Sequence, residues 1–134
     1  MQVTGGCHCG QIAFEAKIDP ETVGMCHCAD CQKLSGSAFR VNVPAREEDF
    51  RITTGTAKEY IKTGDSGARR AQGFCANCGA QIYAANGDGP RDIYMLRVGA
   101  IDQRDDLAPK RQIWRRSALS WLGSWPDIPS RTTG

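Results

Sequence analysis

The chain has 134 residues, of which 40% are hydrophobic and 24% charged, and its formal net charge is +2. This composition is that of one globular domain and excludes a disordered or collagen-like chain. No apolar run reaches the ~20 residues of a membrane span, and the first residues have neither the basic nor the apolar region of a signal peptide. We therefore expect a cytoplasmic protein with no membrane partner, and the nearly balanced charge gives no reason to expect nucleic acid.

Short strands separated by turn residues make up most of the predicted secondary structure. Residues Gln11–Ala16 alternate between apolar and polar, as in a half-buried strand. A strand is predicted at 38–43, and Pro44 should end it. Strands at 51–54 and 57–62 should form a hairpin about Gly55. Further strands are predicted at 68–74, at 81–85 and 92–98 as a second hairpin, and at the start of 111–122.

Little helix is predicted outside one short turn at 29–34. Trp114 and Trp121 are expected to be core aromatics. The sequence therefore predicts a mainly β protein, a single compact domain of short antiparallel strands over residues 1–129, held together by metal. Residues 130–134 are expected to be a frayed tail.

Seven cysteines are many for a chain expected in a reducing compartment, where clustered cysteines indicate metal ligands rather than disulfides. Three of them fall in Cys26-His27-Cys28-Ala29-Asp30-Cys31. In an extended segment Cys26 and Cys28 point to one side, and a Cys-x-x-Cys turn returns Cys31 to them. Three sulfurs can hold one tetrahedral zinc and leave its fourth position open, which is the pattern of a catalytic zinc site.

The other four cysteines, Cys7, Cys9, Cys75 and Cys78, would make a closed, structural four-thiolate zinc site. A different partition, in which Cys26 and Cys28 join Cys75 and Cys78, is also possible. We prefer the first partition because three ligands in one short segment need no distant strand to converge. An iron–sulfur cluster is the less favoured thiolate alternative, and two zinc ions are the predicted cofactors.

An open three-thiolate zinc favours a particular chemistry. Three thiolates give the site a net negative charge, which makes the metal a poorer Lewis acid than one held by neutral histidines. Such a thiolate-rich site still accepts another thiol and lowers its pKa. The sequence therefore predicts the making or breaking of a carbon–sulfur bond on a thiol substrate.

Several neighbours of the central cysteine loop have simple alternative roles. His8 and His27 lie between pairs of cysteines and should point away from the sulfurs, near the site or at the surface, rather than bind metal. Asp30 is expected to be a turn residue. Ser37 and Phe39 are candidate substrate-binding residues, although turn formation and core packing explain them equally well.

The arginines near the cysteine motifs could bind carboxylates. Arg40 follows the central loop, and Arg69 and Arg70 precede Cys75. A guanidinium suits a carboxylate, although for any single one of these arginines a solvated strand position is the favoured interpretation. We name Arg70 as the third candidate substrate-binding residue.

Four motifs follow one another along the chain: Gly6-Cys7-His8-Cys9-Gly10, Cys26-His27-Cys28-Ala29-Asp30-Cys31-Gln32-Lys33, Gly36-Ser37-Ala38-Phe39 and Phe74-Cys75-Ala76-Asn77-Cys78-Gly79. With Pro109, Ile113-Trp114 and Trp121, they resemble the glutathione-dependent formaldehyde-activating enzyme family over nearly the whole chain.

The resemblance implies a "β-tent" fold, one zinc held by Cys7, Cys9, Cys75 and Cys78, and a second zinc held by Cys26, Cys28 and Cys31. It also implies the addition of formaldehyde to glutathione, giving S-hydroxymethylglutathione. Family members often carry histidine at the position of Gln112, so the substrate can differ here.

The leading hypothesis is a carbon–sulfur lyase-type enzyme in which Cys26, Cys28 and Cys31 are the catalytic ligand set and a glutathione-like thiol adds to formaldehyde or a related aldehyde. One alternative is a non-catalytic zinc module that binds a protein or nucleic acid. In that case His8 or His27 would cap the second zinc. Another alternative is a redox sensor that uses the same three cysteines. The sequence predicts no oligomeric state.

Overall fold

The computed structural model describes residues 1–134. Its strands are β1 (Gln2–Gly6), β2 (Ala13–Lys17), β3 (Gly24–Cys26), β4 (Arg40–Arg46), β5 (Phe50–Thr54), β6 (Lys58–Thr63), β7 (Arg69–Phe74), β8 (Gln81–Asn86), β9 (Ile93–Arg97) and β10 (Arg111–Ile113). The one α-helix, α1, is Ala29–Ser35. Short 3-10 helices are Pro20–Thr22, Glu47–Asp49, Val98–Ala100, Arg104–Asp106, Arg115–Ser117 and Trp125–Asp127. The predicted mainly β class is confirmed.

The strands form two sheets. One sheet has the order β1-β2-β5, and the other has the order β10-β3-β4-β9-β8-β7-β6. All pairs are antiparallel except β10–β3, which is parallel. Our expectation of antiparallel strands is therefore wrong for this pair. The long connection from β9 to β10 lets the chain reach the far edge of the sheet in the parallel direction.

The core lies between these sheets. Its buried cluster takes Val3 and Phe14 from the smaller sheet and Val43, Tyr83 and Leu96 from the larger one. The phenyl ring of Phe14 and the ring of Tyr83 each meet Phe50 edge-on, with centroids 5.7 Å apart in both pairs. The opposite face of the large sheet carries the buried polar residues Asn42, Gln72 and Arg97.

The predicted hairpin about Gly55 is wrong. Strand β5 pairs with β2 and strand β6 pairs with β7, so the two strands belong to different sheets. Gly55 has φ +76° and lies against the Gln11 backbone, where a side chain would not fit. The turn therefore passes the chain from one sheet to the other. The predicted pairing of β8 with β9 is confirmed.

The prediction that Pro44 ends its strand is also wrong, because β4 continues to Arg46. Pro44 pairs with Met95 of β9, whereas β3 pairs with β4 only as far as Asn42. Pro44 therefore has a strand on one side only. Proline is tolerated at such a position because its missing N–H leaves no ladder bond unmade.

Two tryptophans near the end of the chain are exposed, although we expected them in the core. Trp114 and Trp121 are 51% and 52% exposed, so the prediction that they are core residues is wrong. They follow β10, an edge strand whose three residues are all exposed, and the core is already filled from the two sheets. Residues 130–134 contain no helix or strand. No helix is long and apolar enough to cross a bilayer.

Candidate metal centres

The first centre links the small sheet to the large sheet. Cys7 and Cys9 follow β1, and Cys75 and Cys78 follow β7, so four sulfurs from two distant segments converge within 4.8 Å of one another. The loop carrying Cys7 closes through Ile12, whose backbone N–H donates to Cys7 Sγ at 3.1 Å. Amide donors of this kind stabilise thiolates.

The sulfur spacing tests whether zinc would fit. The Sγ atoms of Cys7 and Cys9 are 3.6 Å apart, and those of Cys9 and Cys75 are 3.7 Å apart. A tetrahedral ion with Zn–S bonds of about 2.3 Å places its sulfurs about 3.8 Å apart. All seven cysteines are free thiols. The four-cysteine group therefore has the donor set and spacing of a tetrahedral metal site.

The second centre is built by a strand, a tight turn and a helix start. Strand β3 ends at Cys26, and α1 begins at Ala29 with Cys28 as its N-cap. The Cys31 backbone N–H donates to Cys28 Sγ at 3.2 Å. The sulfurs of Cys26, Cys28 and Cys31 all lie within 4.8 Å of one another, so the turn gathers them as the spacing predicts.

These three thiols lie in a low-dielectric environment. Cys26 and Cys31 are 7% and 6% exposed. Burial is the main cause that raises the pKa of the Cys26 thiol to about 12; neighbouring Cys31 contributes to the rise, and the Cys28 backbone opposes it. Burial also opposes ionisation of Cys28, but the Cys31 amide and the adjacent thiols outweigh it and hold the Cys28 pKa below its ordinary value. A bound divalent cation would allow all three to ionise together, so the cluster fits a metal.

Neither histidine belongs to a metal cluster. His8 is exposed, and His27 is only 1% exposed. The His27 ring turns away from the sulfurs and its Nε2 donates to Gln112 Oε1 at 2.8 Å, while its Nδ1 has no partner. Neither residue is close enough to join the three sulfurs. Asp30 likewise stays outside the cluster and pairs with Lys62 at 2.6 Å.

One arginine side chain of the large sheet contacts the second centre, and another arginine lies beside the first. Arg40 lies opposite Cys26 in the β3–β4 register. Its Nη2 donates to Cys31 Sγ at 3.3 Å, and its Nη1 donates to Gln81 at 3.0 Å. Beside it, Arg97 donates to Gln72 at 2.7 Å.

The structure thus adds functional candidates that sequence reasoning missed. Arg97 is the clearest, since a charged residue follows the apolar Ile93–Leu96 in a strand that enters the core. A charged residue at the end of an apolar strand was therefore the sequence signal that could have identified Arg97. No sequence signal marked the two glutamines that orient the arginines, Gln72 and Gln81.

Two cavities lie near the three-cysteine loop, the first beside His27 and the second beside Arg40, which contacts Cys31. The larger, of about 730 Å³, is lined by Met25, His27, Phe39, Gln112, Arg115, Leu122, Gly123, Trp125 and Pro126. The second, of about 400 Å³, has Arg40, Gln81 and Arg97 on its polar side. Phe39 lines both cavities and stacks on Trp125, with ring centroids 5.8 Å apart.

The three predicted substrate-binding residues occupy different places. Phe39 separates the two cavities. Ser37 is exposed and lies at a shallower cleft beside Trp121 and Trp125. Arg70 is half-buried on β7, two residues from Gln72.

Comparison with known proteins decides the family. The model of the glutathione-dependent formaldehyde-activating enzyme family matches residues 2–117. The chain belongs to this family. The resemblance inferred from its motifs is confirmed.

The chain is also similar to a curated protein and, in its fold, to a solved structure. A Halomonas elongata protein named a putative glutathione-dependent formaldehyde-activating enzyme is 24% identical over 136 aligned positions, which cover 98% of this chain and 83% of that protein. The crystal structure of a Rhodobacter sphaeroides protein superposes with a TM-score of 0.62 at 20% identity. That match covers 81% of this chain and 98% of the other and shows a shared fold.

Proposed function

We propose that this member of the family is a carbon–sulfur lyase-type enzyme that adds a thiol such as glutathione reversibly to formaldehyde or a related small aldehyde. The three-cysteine centre carries this proposal: three sulfurs converge, and no fourth protein donor joins them. The family match over residues 2–117 supports the same activity.

In the proposed site Cys26, Cys28 and Cys31 hold one zinc ion, and Cys7, Cys9, Cys75 and Cys78 hold another. The zinc at the three-cysteine centre would accept the substrate sulfur and lower its pKa, which makes the sulfur nucleophilic at neutral pH. The four-cysteine centre is structural, because it already has four protein ligands.

The protein residues supply orientation and charge. The Cys31 amide and Arg40 each donate a hydrogen bond to a ligand sulfur, which fixes the loop and offsets its negative charge. The substrate thiol releases its proton to solvent and its sulfur attacks the aldehyde carbon. A carbon–sulfur bond forms as the C=O π bond breaks, and the aldehyde oxygen takes a proton from solvent. The reverse sequence releases thiol and aldehyde.

We include Ser37, Phe39 and Arg70 as substrate-binding residues in this proposal. Phe39 is the best supported of the three, because it lines both cavities beside the loop. Substitutions Phe39→Leu and Arg70→Gln should raise KM with little change in kcat, since they alter binding rather than the reacting atoms.

The non-catalytic alternative requires a further ligand on the three-cysteine centre. His27 is engaged with Gln112, and His8 is exposed, so neither is in place to cap it. This arrangement favours a zinc whose fourth coordination position can exchange ligands over a zinc closed by a protein ligand. We also propose a cytoplasmic location, because the seven cysteines form two metal-ligand clusters and no disulfide, as in reducing compartments.

Exchange NMR on an equilibrium mixture of glutathione, formaldehyde and S-hydroxymethylglutathione tests the proposal. The exchange rate is compared without protein, with zinc-loaded protein and with Cys28→Ser. We expect faster exchange with the wild type and a return to the uncatalysed rate with Cys28→Ser. Metal analysis should show one zinc lost in that variant, and circular dichroism should show the fold retained. Exchange that zinc-loaded wild-type protein leaves unchanged would exclude this substrate pair.

A further inference from the structure

A buried arginine without an acidic partner lies next to Arg40, the residue that contacts the three-cysteine centre. Arg97 is only 6% exposed and hydrogen-bonds to the neutral amides of Asn42 and Gln72. Its Nε–H has no partner. A buried charge ordinarily has a counter-charge, because leaving water is costly for an unpaired ion.

The neighbouring arginines add to this positive charge. Arg40 shares Gln72 as a hydrogen-bond acceptor with Arg97, and its own buried Nε–H is also unpartnered. Arg70 stands on the same strand as Gln72. No carboxylate forms an ion pair with any of the three arginines. Burial, and then the charge of Arg40, lower the pKa of Arg97, and the thiols of Cys31 and Cys26 offset this only in part.

The metal centre offsets only part of this charge. Three thiolates around a divalent ion have a single net negative charge, and Arg40 already donates to one of those sulfurs at 3.3 Å. Lys62 and Asp30 neutralise each other at 2.6 Å. Arg97 and Arg70 therefore remain without an anion even in the metal-loaded protein.

Two of the three arginines line a cavity. Arg40 and Arg97 line the same cavity of about 400 Å³, together with Gln81 and the backbone at Gly79 and Gly99. Arg40 therefore connects this cavity to the Cys31 sulfur. A guanidinium is planar and has several N–H donors, a geometry that matches a carboxylate.

We infer that Arg97 and Arg40 form a carboxylate-binding site that anchors the thiol substrate beside the three-cysteine centre. The inference deepens the proposed function, since it requires the substrate to be an anionic thiol bearing a carboxylate near its sulfur. Arg97 is a specificity-determining residue in this arrangement, and neutral thiols of the same size would bind less tightly.

Calorimetry with S-methylglutathione tests the site on zinc-loaded protein. This probe has both carboxylates of glutathione, but its sulfur is blocked, so it cannot react. We expect binding to the wild type, and binding about 10- to 100-fold weaker for the diethyl ester of the probe and for Arg97→Gln. Arg51→Gln is the matched control, because Arg51 is exposed and pairs with Glu15; it should bind like wild type.

The comparison of acid with ester on the wild-type protein keeps the test valid if Arg97→Gln does not fold. Equal affinity for the acid and the ester would overturn the inference. So would undiminished affinity in Arg97→Gln, or no binding of the acid at millimolar concentration. Because the probe cannot react, these outcomes are independent of the exchange experiment. Exchange without acid-selective binding would leave the proposed function intact and remove only the anion site.

Discussion

The Arg40 guanidinium donates a hydrogen bond to the Sγ of Cys31 at 3.3 Å. This contact links the sheet to the three-cysteine loop, because Arg40 begins β4 whereas Cys31 lies in α1. The other donor nitrogen of Arg40 is fixed by Gln81 at 3.0 Å. The loop is thus held from outside its own segment, and its metal affinity should depend on a residue that is not a ligand.

Replacing Arg40 with methionine should weaken metal binding at the three-cysteine centre by about 10- to 100-fold, because the buried negative charge loses its hydrogen-bonded counter-charge. The four-cysteine centre should keep its affinity. Competition with a chromophoric chelator would resolve the two metals. Arg51→Met, which removes an exposed arginine paired with Glu15, is the control. If the three-cysteine centre bound metal equally tightly in both variants, this role for Arg40 would be contradicted.

Removing the metal from the four-cysteine centre should unfold the protein. Cys9 and Cys75 are 66 residues apart in sequence, and the site closes that long loop. Structural zinc is worth on the order of 10 kcal/mol, comparable to the whole stability of a small domain. We expect Cys75→Ser to lose its near-ultraviolet circular dichroism, whereas Cys28→Ser keeps it. A native spectrum for Cys75→Ser would show that the core needs no metal.

The Gln112→Leu substitution should lower the free energy of unfolding by about 1–3 kcal/mol, since the buried Nε2 of His27 loses its acceptor. Gln112→His can restore an acceptor nitrogen and should recover most of the loss. Urea unfolding of the three zinc-loaded proteins provides the comparison. If the Gln112→Leu protein had the same free energy of unfolding as the wild type, the His27–Gln112 hydrogen bond would not contribute to stability.

The Glu59–Arg91 pair predicts a defined pH dependence. Arg91 donates to both Glu59 oxygens, at 2.5 and 2.8 Å, and Tyr83 donates to one of them at 2.7 Å. The hydrogen bond from Arg91 is the main cause of a Glu59 pKa below its ordinary value, and burial opposes it. A lowered carboxyl pKa stabilises the fold above the unfolded-state pKa, and this stability is lost as pH falls through the native pKa.

Glu59→Gln should therefore lower the free energy of unfolding by about 1–2 kcal/mol at pH 7. The difference from wild type should stay constant between pH 8 and pH 6, where Glu59 is ionised in both states, and shrink only in acid. Denaturant titrations of both proteins across this pH range measure the difference in free energy of unfolding. Loss of metal in acid affects both proteins alike, so the difference isolates Glu59. A difference that shrinks already between pH 8 and pH 6 would be evidence against a lowered pKa.

Local features of the chain were predictable because they depend on short-range geometry. The three-cysteine cluster needs only residues 26–31, and the turn that forms it leads into a helix predicted at 29–34 and found at Ala29–Ser35. The Cys-x-Cys and Cys-x-x-Cys spacings likewise indicated four sulfurs for the other cluster, and the fold brings those four together. Sequence motifs also indicated the family.

Tertiary structure alone decided what surrounds the cysteines. Arg97 and Gln72 meet across β9, β8 and β7, and which side chains share a face there depends on strand register over the whole sheet. The turn at Gly55 resembled a hairpin because local sequence does not reveal that its two strands join different sheets. Trp114 is hydrophobic, yet it lies exposed beside an edge strand after other residues have filled the core. Strand pairing and side-chain burial depend on contacts between residues far apart in sequence. Short sequence patterns therefore predict secondary-structure elements and metal-ligand spacings, but not which elements pack against one another.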